Sequence, residues 1–235
     1  MFFEIDELTK NNPPELPVII PTFNNPTYLQ MMLKQLDKVS LFDTIILDNG
    51  SSSHKMLSLL QSQDCVVTVP NGPRDYYNTE IYKWLPNYFI ITDPDIGFNC
   101  NLPHDFLDIL KNVSCKYKKY KVGFALDLDI KEDHILNDPD YKYGKTALEW
   151  ESQYWVNKIG ETETGCPIYD APIDTTFCLV NKQFHENFFY PSSRIGGRFS
   201  CQHYGFYKNP PIPIKEYQTY NMLCKIKKYN WTHTK

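Results

Sequence analysis

Asp93 and Asp95 flank Pro94 directly after Tyr88-Phe89-Ile90-Ile91, and no other stretch of the sequence is so well placed to do chemistry. The aromatic and β-branched run reads as a buried strand. Pro94 lacks the N–H that a β-ladder needs, so the strand stops there. Two carboxylates then stand together at the carboxyl end of a core strand, where open α/β sheets bind ligands. Paired carboxylate oxygens suit a hard divalent cation, which would bridge to phosphate. A lone D-x-D is also an ordinary polar turn, so the surrounding elements must decide.

Two further D-x-D sequences occur, Asp127/Asp129 and Asp138/Asp140. Residues 121–130 alternate apolar and polar, which predicts a strand covered on one face only, with Asp127 and Asp129 on the solvent side. Asp138 and Asp140 fall in a polar loop. Downstream, Glu149 and Glu151 sit on an expected helix over Thr146–Ile159, stopped by Gly160. Asp170 and Asp174 lead into a strand near 175–180. Arg194-Ile195-Gly196-Gly197-Arg198 reads as a basic, flexible turn able to approach phosphate, and His203 stands among aromatics.

The elements that must position these groups follow from hydrophobic spacing. Pro17–Phe23, Thr44–Leu47, Cys65–Val69 and Tyr88–Ile91 read as buried strands. Between the first two lies an amphipathic helix over 26–39, with Asn25 as N-cap and Pro26 in its first position. A second helix spans about 54–62, and a third about 103–113. Strand–helix alternation predicts a doubly wound parallel sheet. It carries neither G-x-G-x-x-G nor G-x-x-x-x-G-K-[ST], which excludes the usual dinucleotide enzymes and P-loop NTPases. Instead the strand ends offer Thr22, Asp48, Asp93 and Asp95. Such ends suit a nucleoside held by side chains, its diphosphate neutralised by a metal.

Composition sets outer bounds. The chain has 235 residues, a net charge of −4 and 15% aromatics. The acidic balance argues against a general phosphate footprint, so no nucleic-acid partner is expected. Aromatics serve either sugar-binding clefts or a core. Seven scattered cysteines without a C-x-x-C read as reduced thiols of a cytosol-like compartment. No apolar run is long enough to span a membrane, and the lysine-rich tail after Pro211 allows at most weak peripheral contact with an anionic surface. Residues 1–16 read as a leader and 17–235 as one domain.

Taken together, Pro21-Thr22-Phe23-Asn24-Asn25, Leu47-Asp48-Asn49-Gly50-Ser51 and Ile91-Thr92-Asp93-Pro94-Asp95 resemble the nucleotide-sugar half of family 2-like glycosyltransferases with the GT-A fold. Ala147–Glu151, Tyr169–Phe177 and His203–Tyr207 resemble a small-enzyme subgroup of that class. The subgroup includes bacterial surface-glycan transferases and the glycosyltransferase domain of a large algal virus. One departure is Phe206, which stands where the pattern has Trp. The resemblance implies an α/β fold with a Rossmann-like, mostly parallel central sheet flanked by helices and a smaller antiparallel part. It implies residues 17–100 as the nucleotide-sugar half and 101–235 as the acceptor and catalytic half.

Roles follow from the same resemblance. Asp48 would bind the nucleobase, with Pro21, Thr22, Asn24 and Asn49 lining its pocket and Arg74 near the nucleotide. Thr92, Asp93 and Asp95 would meet the ribose and a Mn²⁺ or Mg²⁺ ion, with His203 reaching the metal or diphosphate and Arg198 or Arg194 adding positive charge. Asp174 is the first candidate for general base, with Asp170 and Glu151 as rivals. The expected activity is metal-dependent, inverting transfer from a nucleoside-diphosphate sugar, UDP first, to a glycan or glycoconjugate hydroxyl in the cytoplasm of a bacterium or a virus-infected host. Two other classes compete: a sugar-1-phosphate nucleotidyltransferase and a non-catalytic glycan-binding module.

Overall fold

A computed structural model describes residues 2–69, 80–129, 145–185 and 190–227. The chain divides into two units, Met1–Asp95 with Ile212–Lys235, and Ile96–Pro211.

In the first unit the apolar runs become strands because a continuous β-branched segment is stable only when buried on both faces. Strands β1 (Phe2–Phe3), β2 (Val18–Thr22), β3 (Thr44–Asp48), β4 (Val66–Thr68) and β5 (Tyr88–Ile91) lie in the order β1-β4-β3-β2-β5. Every pairing among them is parallel. The helices are α1 (Ile5–Leu8), α2 (Pro26–Lys38), α3 (His54–Gln61), α4 (Glu80–Trp84) and, from the C-terminal segment, α7 (Ile214–Lys227). Helix α2 buries Tyr28, Leu29, Met32 and Leu36, the expected stripe. Ser53 caps α3 by accepting the Met56 N–H.

Asn25 does occupy the N-cap of α2, but its side chain makes no capping bond. Instead Glu216 of α7 accepts the Thr27 N–H and the Thr27 hydroxyl, each at 2.8 Å. A carboxylate there meets both an orphan donor and the positive end of the helix. Phe2–Phe3 also pairs with Val66 and Val67, so the segment before residue 17 supplies a strand.

The second unit holds β6 (Ile96–Gly97), α5 (Phe106–Tyr117), β7 (Lys121–Phe124), α6 (Ala147–Ser152), β8 (Lys158–Glu161), β9 (Pro167–Asp170), β10 (Cys178–Asn181), β11 (Ser192–Ile195) and β12 (Gln202–His203). Its main sheet runs β10-β7-β11-β9-β8, parallel only between β7 and β11. Strands β6 and β12 form a separate antiparallel pair. The expected α/β class holds, with the parallel strands concentrated in the first unit and the antiparallel part in the second.

Part of the aromatic content is core. Phe106, Phe124, Phe177 and Phe199 are buried, and Phe124 stacks on Phe177 with centroids 4.6 Å apart.

Three expectations for this unit need correction. Within the stretch 121–130, the described residues 121–129 are not one half-exposed strand. All four residues of β7 are buried between β10 and β11, and the chain then leaves the ladder. Ala125 donates to Ile195, and Asp127 donates its N–H to the Cys201 carbonyl. The helix expected to run to Ile159 ends at Ser152, followed by a 3₁₀ turn over Gln153–Trp155. Ser152 and Gln153 bond back to the carbonyls of Glu149 and Trp150, and residues 158–161 are claimed by pairing with β9. Gly160 is therefore a strand residue, where a Cβ would sit 2.1 Å from the Tyr117 hydroxyl. Arg194 belongs to β11 and is buried, not part of a flexible turn.

Candidate functional site

The carboxyl ends of β2, β3 and β5 lie side by side in the first unit. From β2 the chain moves outward through β3 to β4, then returns so that β5 pairs on the other side of β2. That reversal is a topological switch point, the place where parallel α/β sheets open a crevice for ligands. Pro21, Thr22, Asn24, Asp48, Asn49, Thr92, Asp93 and Asp95 all stand at or just beyond these strand ends.

Local hydrogen bonds hold this edge rigid. Asn24 is in the left-handed region at φ 47°, a conformation that asparagine tolerates. Its Oδ1 accepts the N–H groups of Ser52 and Ser53 at 2.9 and 2.8 Å, and its own N–H donates to Ser51 Oγ. Its Nδ2 is buried without a hydrogen-bond partner. Asn49 donates Nδ2 to the carbonyls of Thr22 and Leu47, locking the ends of β2 and β3 together. Thr22 Oγ1 donates to Asn25 Oδ1 at 2.6 Å.

Asp48 is 4% exposed. Burial raises its pKa above the ordinary carboxylate value, and hydrogen bonds from Ser51 and from the Gly50 N–H partly offset that rise. A nearly sealed carboxylate with few donors of its own has capacity to accept from a ligand. Asp93 and Asp95 are partly exposed on either side of buried Pro94. Two carboxylates turned toward solvent around a rigid residue offer oxygen ligands to a hard cation.

The second unit carries the other predicted residues. His203 lies in β12 opposite Ile96, the residue that follows Asp95 in the chain, and its ring stacks on Phe206 at 4.3 Å. Asp170 ends β9 and pairs with Lys119 at 2.5 Å. Asp174 is exposed in the loop before β10, with its carbonyl accepting from Lys121 Nζ at 2.7 Å. Glu151 is buried on α6 and accepts from Arg194 Nη1 at 2.6 Å. Arg198 is exposed in a 3₁₀ turn at the rim of an open depression of about 600 Å³ lined by Cys100, Asn101, His104, Asp105 and Thr164.

No family model matches the chain, and no curated protein does. Among solved structures it is similar to glucosyl-3-phosphoglycerate synthase from Mycobacterium tuberculosis. With the Mn²⁺ and UDP-glucose complex of that enzyme it shares 17% identity over 52% of this chain and 46% of that chain, at a TM-score of 0.34. With the complex that adds phosphoglyceric acid the values are 15%, 75%, 60% and 0.39. The chain thus spans about half the length of the first of these structures. At such scores the likeness assigns no residue.

Two features escaped the reading of the sequence. Asp127, expected on a solvent face, lines a cavity of about 10 Å³ together with Glu151, His203, Leu126 and Phe206. That volume is about the space one water needs. Arg194 takes no place beside a phosphate: it is spent inside the fold on Glu151, on the Pro172 carbonyl and on the Tyr154 ring 4.3 Å away. Its i+2 neighbour Gly196, packed against Trp155, suggested a turn, and nothing local in the sequence pointed to Glu151 as partner.

Arg74, Asp138 and Asp140 lie outside the described residues. None of the seven cysteines is joined in a disulfide among the described residues. Burial pushes the Cys224 thiol up to about 12 and Cys201 higher still, so both are inert in the core. Among the described residues no helix is long and apolar enough to cross a membrane.

Proposed function

We propose that the chain is a GT-A glycosyltransferase that uses a divalent cation to transfer a sugar from a nucleoside-diphosphate sugar to a hydroxyl acceptor. The observation that carries this is the row of Thr22, Asp48, Asp93 and Asp95 at the carboxyl ends of three neighbouring parallel strands, at the switch point of the sheet. On this reading residues 17–100 hold the donor and 101–235 supply the acceptor side and the base. The ordered motifs favour the small subgroup with surface-glycan and viral members.

Asp48 accepts from the nucleobase, and Pro21, Thr22, Asn24 and Asn49 line its pocket. The free Nδ2 of Asn24 offers a donor there. Arg74 and Thr92 complete the nucleotide contacts. Asp93, Asp95 and His203 are the ligand set for Mn²⁺ or Mg²⁺: two carboxylates and an imidazole fit a divalent cation of this hardness. A bound cation supplies Lewis-acid stabilisation of the charge left on the diphosphate. Arg198, exposed and carried on a short turn, adds positive charge toward the same oxygens.

The acceptor hydroxyl oxygen attacks the anomeric carbon while the bond from that carbon to the diphosphate oxygen breaks. Its electron pair leaves with the nucleoside diphosphate, and the hydroxyl proton passes to a carboxylate, Asp174 first. In-line attack inverts the anomeric centre. Of the three acids, Asp174 is exposed and forms no ion pair among the described residues, whereas Asp170 pairs with Lys119 and Glu151 with Arg194.

The deciding experiment is a thermal-shift screen of nucleotide sugars with Mn²⁺, followed by product analysis. A ligand that binds the folded state raises the transition temperature. UDP-sugars are expected to shift it and to release UDP on transfer, and product NMR to show an inverted anomer. Pyrophosphate release from a nucleoside triphosphate would reassign the chain as a nucleotidyltransferase.

A further inference from the structure

Two cations buried in the second unit grip one loop from below. Lys121 and Arg194 are 4% and 5% exposed. They stand on neighbouring parallel strands in a register that sets Lys121 against Ser192 and Gly123 against Arg194. Residues opposite each other, or two apart on one strand, share a sheet face. Lys121, Gly123 and Arg194 therefore point to the same side. Over them lies the loop 171–174, which ends in Asp174.

Both cations donate to carbonyls of that loop. Lys121 Nζ donates to the carbonyl of Asp174 at 2.7 Å and approaches that of Ile173 at 3.5 Å. Arg194 Nε donates to the Pro172 carbonyl at 2.7 Å while Nη1 donates to Glu151 at 2.6 Å. Gly123 makes the approach possible: a Cβ there would lie 2.6 Å from Ile173 Cδ1 and 2.3 Å from the Phe177 carbonyl. Three successive carbonyls are thus tied down by two charges that burial would otherwise disfavour. A buried lysine kept only for stability would be an unusual choice, since an apolar side chain of that volume serves a core as well or better.

We propose that Lys121 and Arg194 are positioning residues that fix the loop 171–174, and with it the Asp174 carboxylate, for proton abstraction, and that Arg194 couples Glu151 to the same loop. The inference rests on the glycosyltransferase reading for its catalytic part only. The clamp itself stands on the hydrogen bonds.

The test uses the full chain and two variants, Lys121→Met and Arg194→Lys. Methionine keeps the buried volume, and lysine keeps the charge but cannot reach Glu151 and Pro172 with two heads. Hydrogen exchange of the amides of residues 173–176 is expected to quicken by at least about tenfold in each variant, with strands β2 and β5 unchanged. Calorimetry with UDP and Mn²⁺ should give wild-type affinity. In transfer assays kcat should fall by about tenfold or more with the donor KM unchanged, a split that general destabilisation does not produce. Wild-type protection of these amides in folded variants overturns the clamp, and unchanged kcat with a loosened loop overturns the positioning of Asp174. If Arg194→Lys loses its cooperative transition, Lys121→Met decides by itself. If the wild-type chain transfers no sugar while both variants loosen the loop, the activity assignment falls and the clamp remains.

Discussion

Both carboxylate oxygens of Asp48 accept the Ser51 N–H at 3.2 Å, from a side chain almost sealed from water at the end of β3. Long bonds of that kind compensate burial only in part, which is why the Asp48 pKa stands above its ordinary value. A raised folded-state pKa means that the folded chain holds this proton more tightly than the unfolded chain. The associated stability is complete below the ordinary carboxylate range and is lost as pH rises through the folded value. Asp48→Asn escapes that loss. Relative to wild type, the variant is expected to gain thermal stability between about pH 4 and neutrality, and to show no gain below pH 4. Its affinity for UDP should drop by about 1.5–3 kcal/mol if the carboxylate accepts from the nucleobase. Melting curves across pH and UDP titration separate the two effects. A variant that melts lower at neutral pH contradicts the burial argument.

Asp93 and Asp95 are separated by buried Pro94, so neither carboxylate can take over the position of the other by a small backbone shift. Each is expected to matter singly. Asp93→Ala and Asp95→Ala should each weaken Mn²⁺-dependent UDP binding by at least about tenfold, or 1.4 kcal/mol. Binding measured in chelator should be equally weak in wild type and variants. Calorimetry that finds wild-type affinity in both variants would remove the pair from the metal assignment.

Asp174 is exposed between buried Ile173 and half-buried Thr175, far in sequence from the strand ends proposed to hold the donor. Asp174→Asn should therefore leave UDP affinity intact while lowering kcat by about 10²–10⁴-fold, the usual contribution of a well-placed base. Retained turnover would shift the role to Asp170 or Glu151. The two rivals then separate by their partners: Asp170→Asn releases Lys119 at a half-exposed edge, whereas Glu151→Gln weakens a buried pair with Arg194.

How much of this the sequence revealed depends on burial. Strands β2, β3 and β5 were readable because burial on both faces demands continuous apolar runs, and Ile19, Ile46 and Ile90 are fully enclosed. The acidic strand ends were readable for the same reason, as polar residues that abruptly follow such runs. Strand β7 was misread because Lys121 and Gly123 imitate a solvent face, when one is a buried cation with carbonyl partners and the other makes room for Ile173. Arg194 was misread because its partner lies 43 residues away on α6, and a long-range ion pair has no local signature. Phe2–Phe3 is too short to carry any period, and its strand exists only through pairing with β4.

Gly123 gives the sharpest test of that misread strand. It lies in the middle of β7, flanked by β10 and β11, where a Cβ would meet the Phe177 carbonyl at 2.3 Å, Cys178 Cβ at 2.4 Å and Ile173 Cδ1 at 2.6 Å. The Ile173 side chain could rotate away. The Phe177 carbonyl cannot, because it accepts the Phe124 N–H at 3.0 Å and so belongs to the ladder. Even one methyl must then push β10 from β7 or tilt the Phe124–Phe177 stack. Overpacking of this kind costs about 1–3 kcal/mol. Gly123→Ala is expected to lower the urea midpoint accordingly, and to speed exchange at the β7 and β10 amides before those of β2 and β3. A glycine in the same ordinary strand conformation but with room for a Cβ would behave differently: alanine would restrict the unfolded chain and raise stability by about 0.4–1 kcal/mol. The sign of the midpoint shift therefore discriminates between the two accounts, and a rise would mean that β7 and β10 do not meet as described.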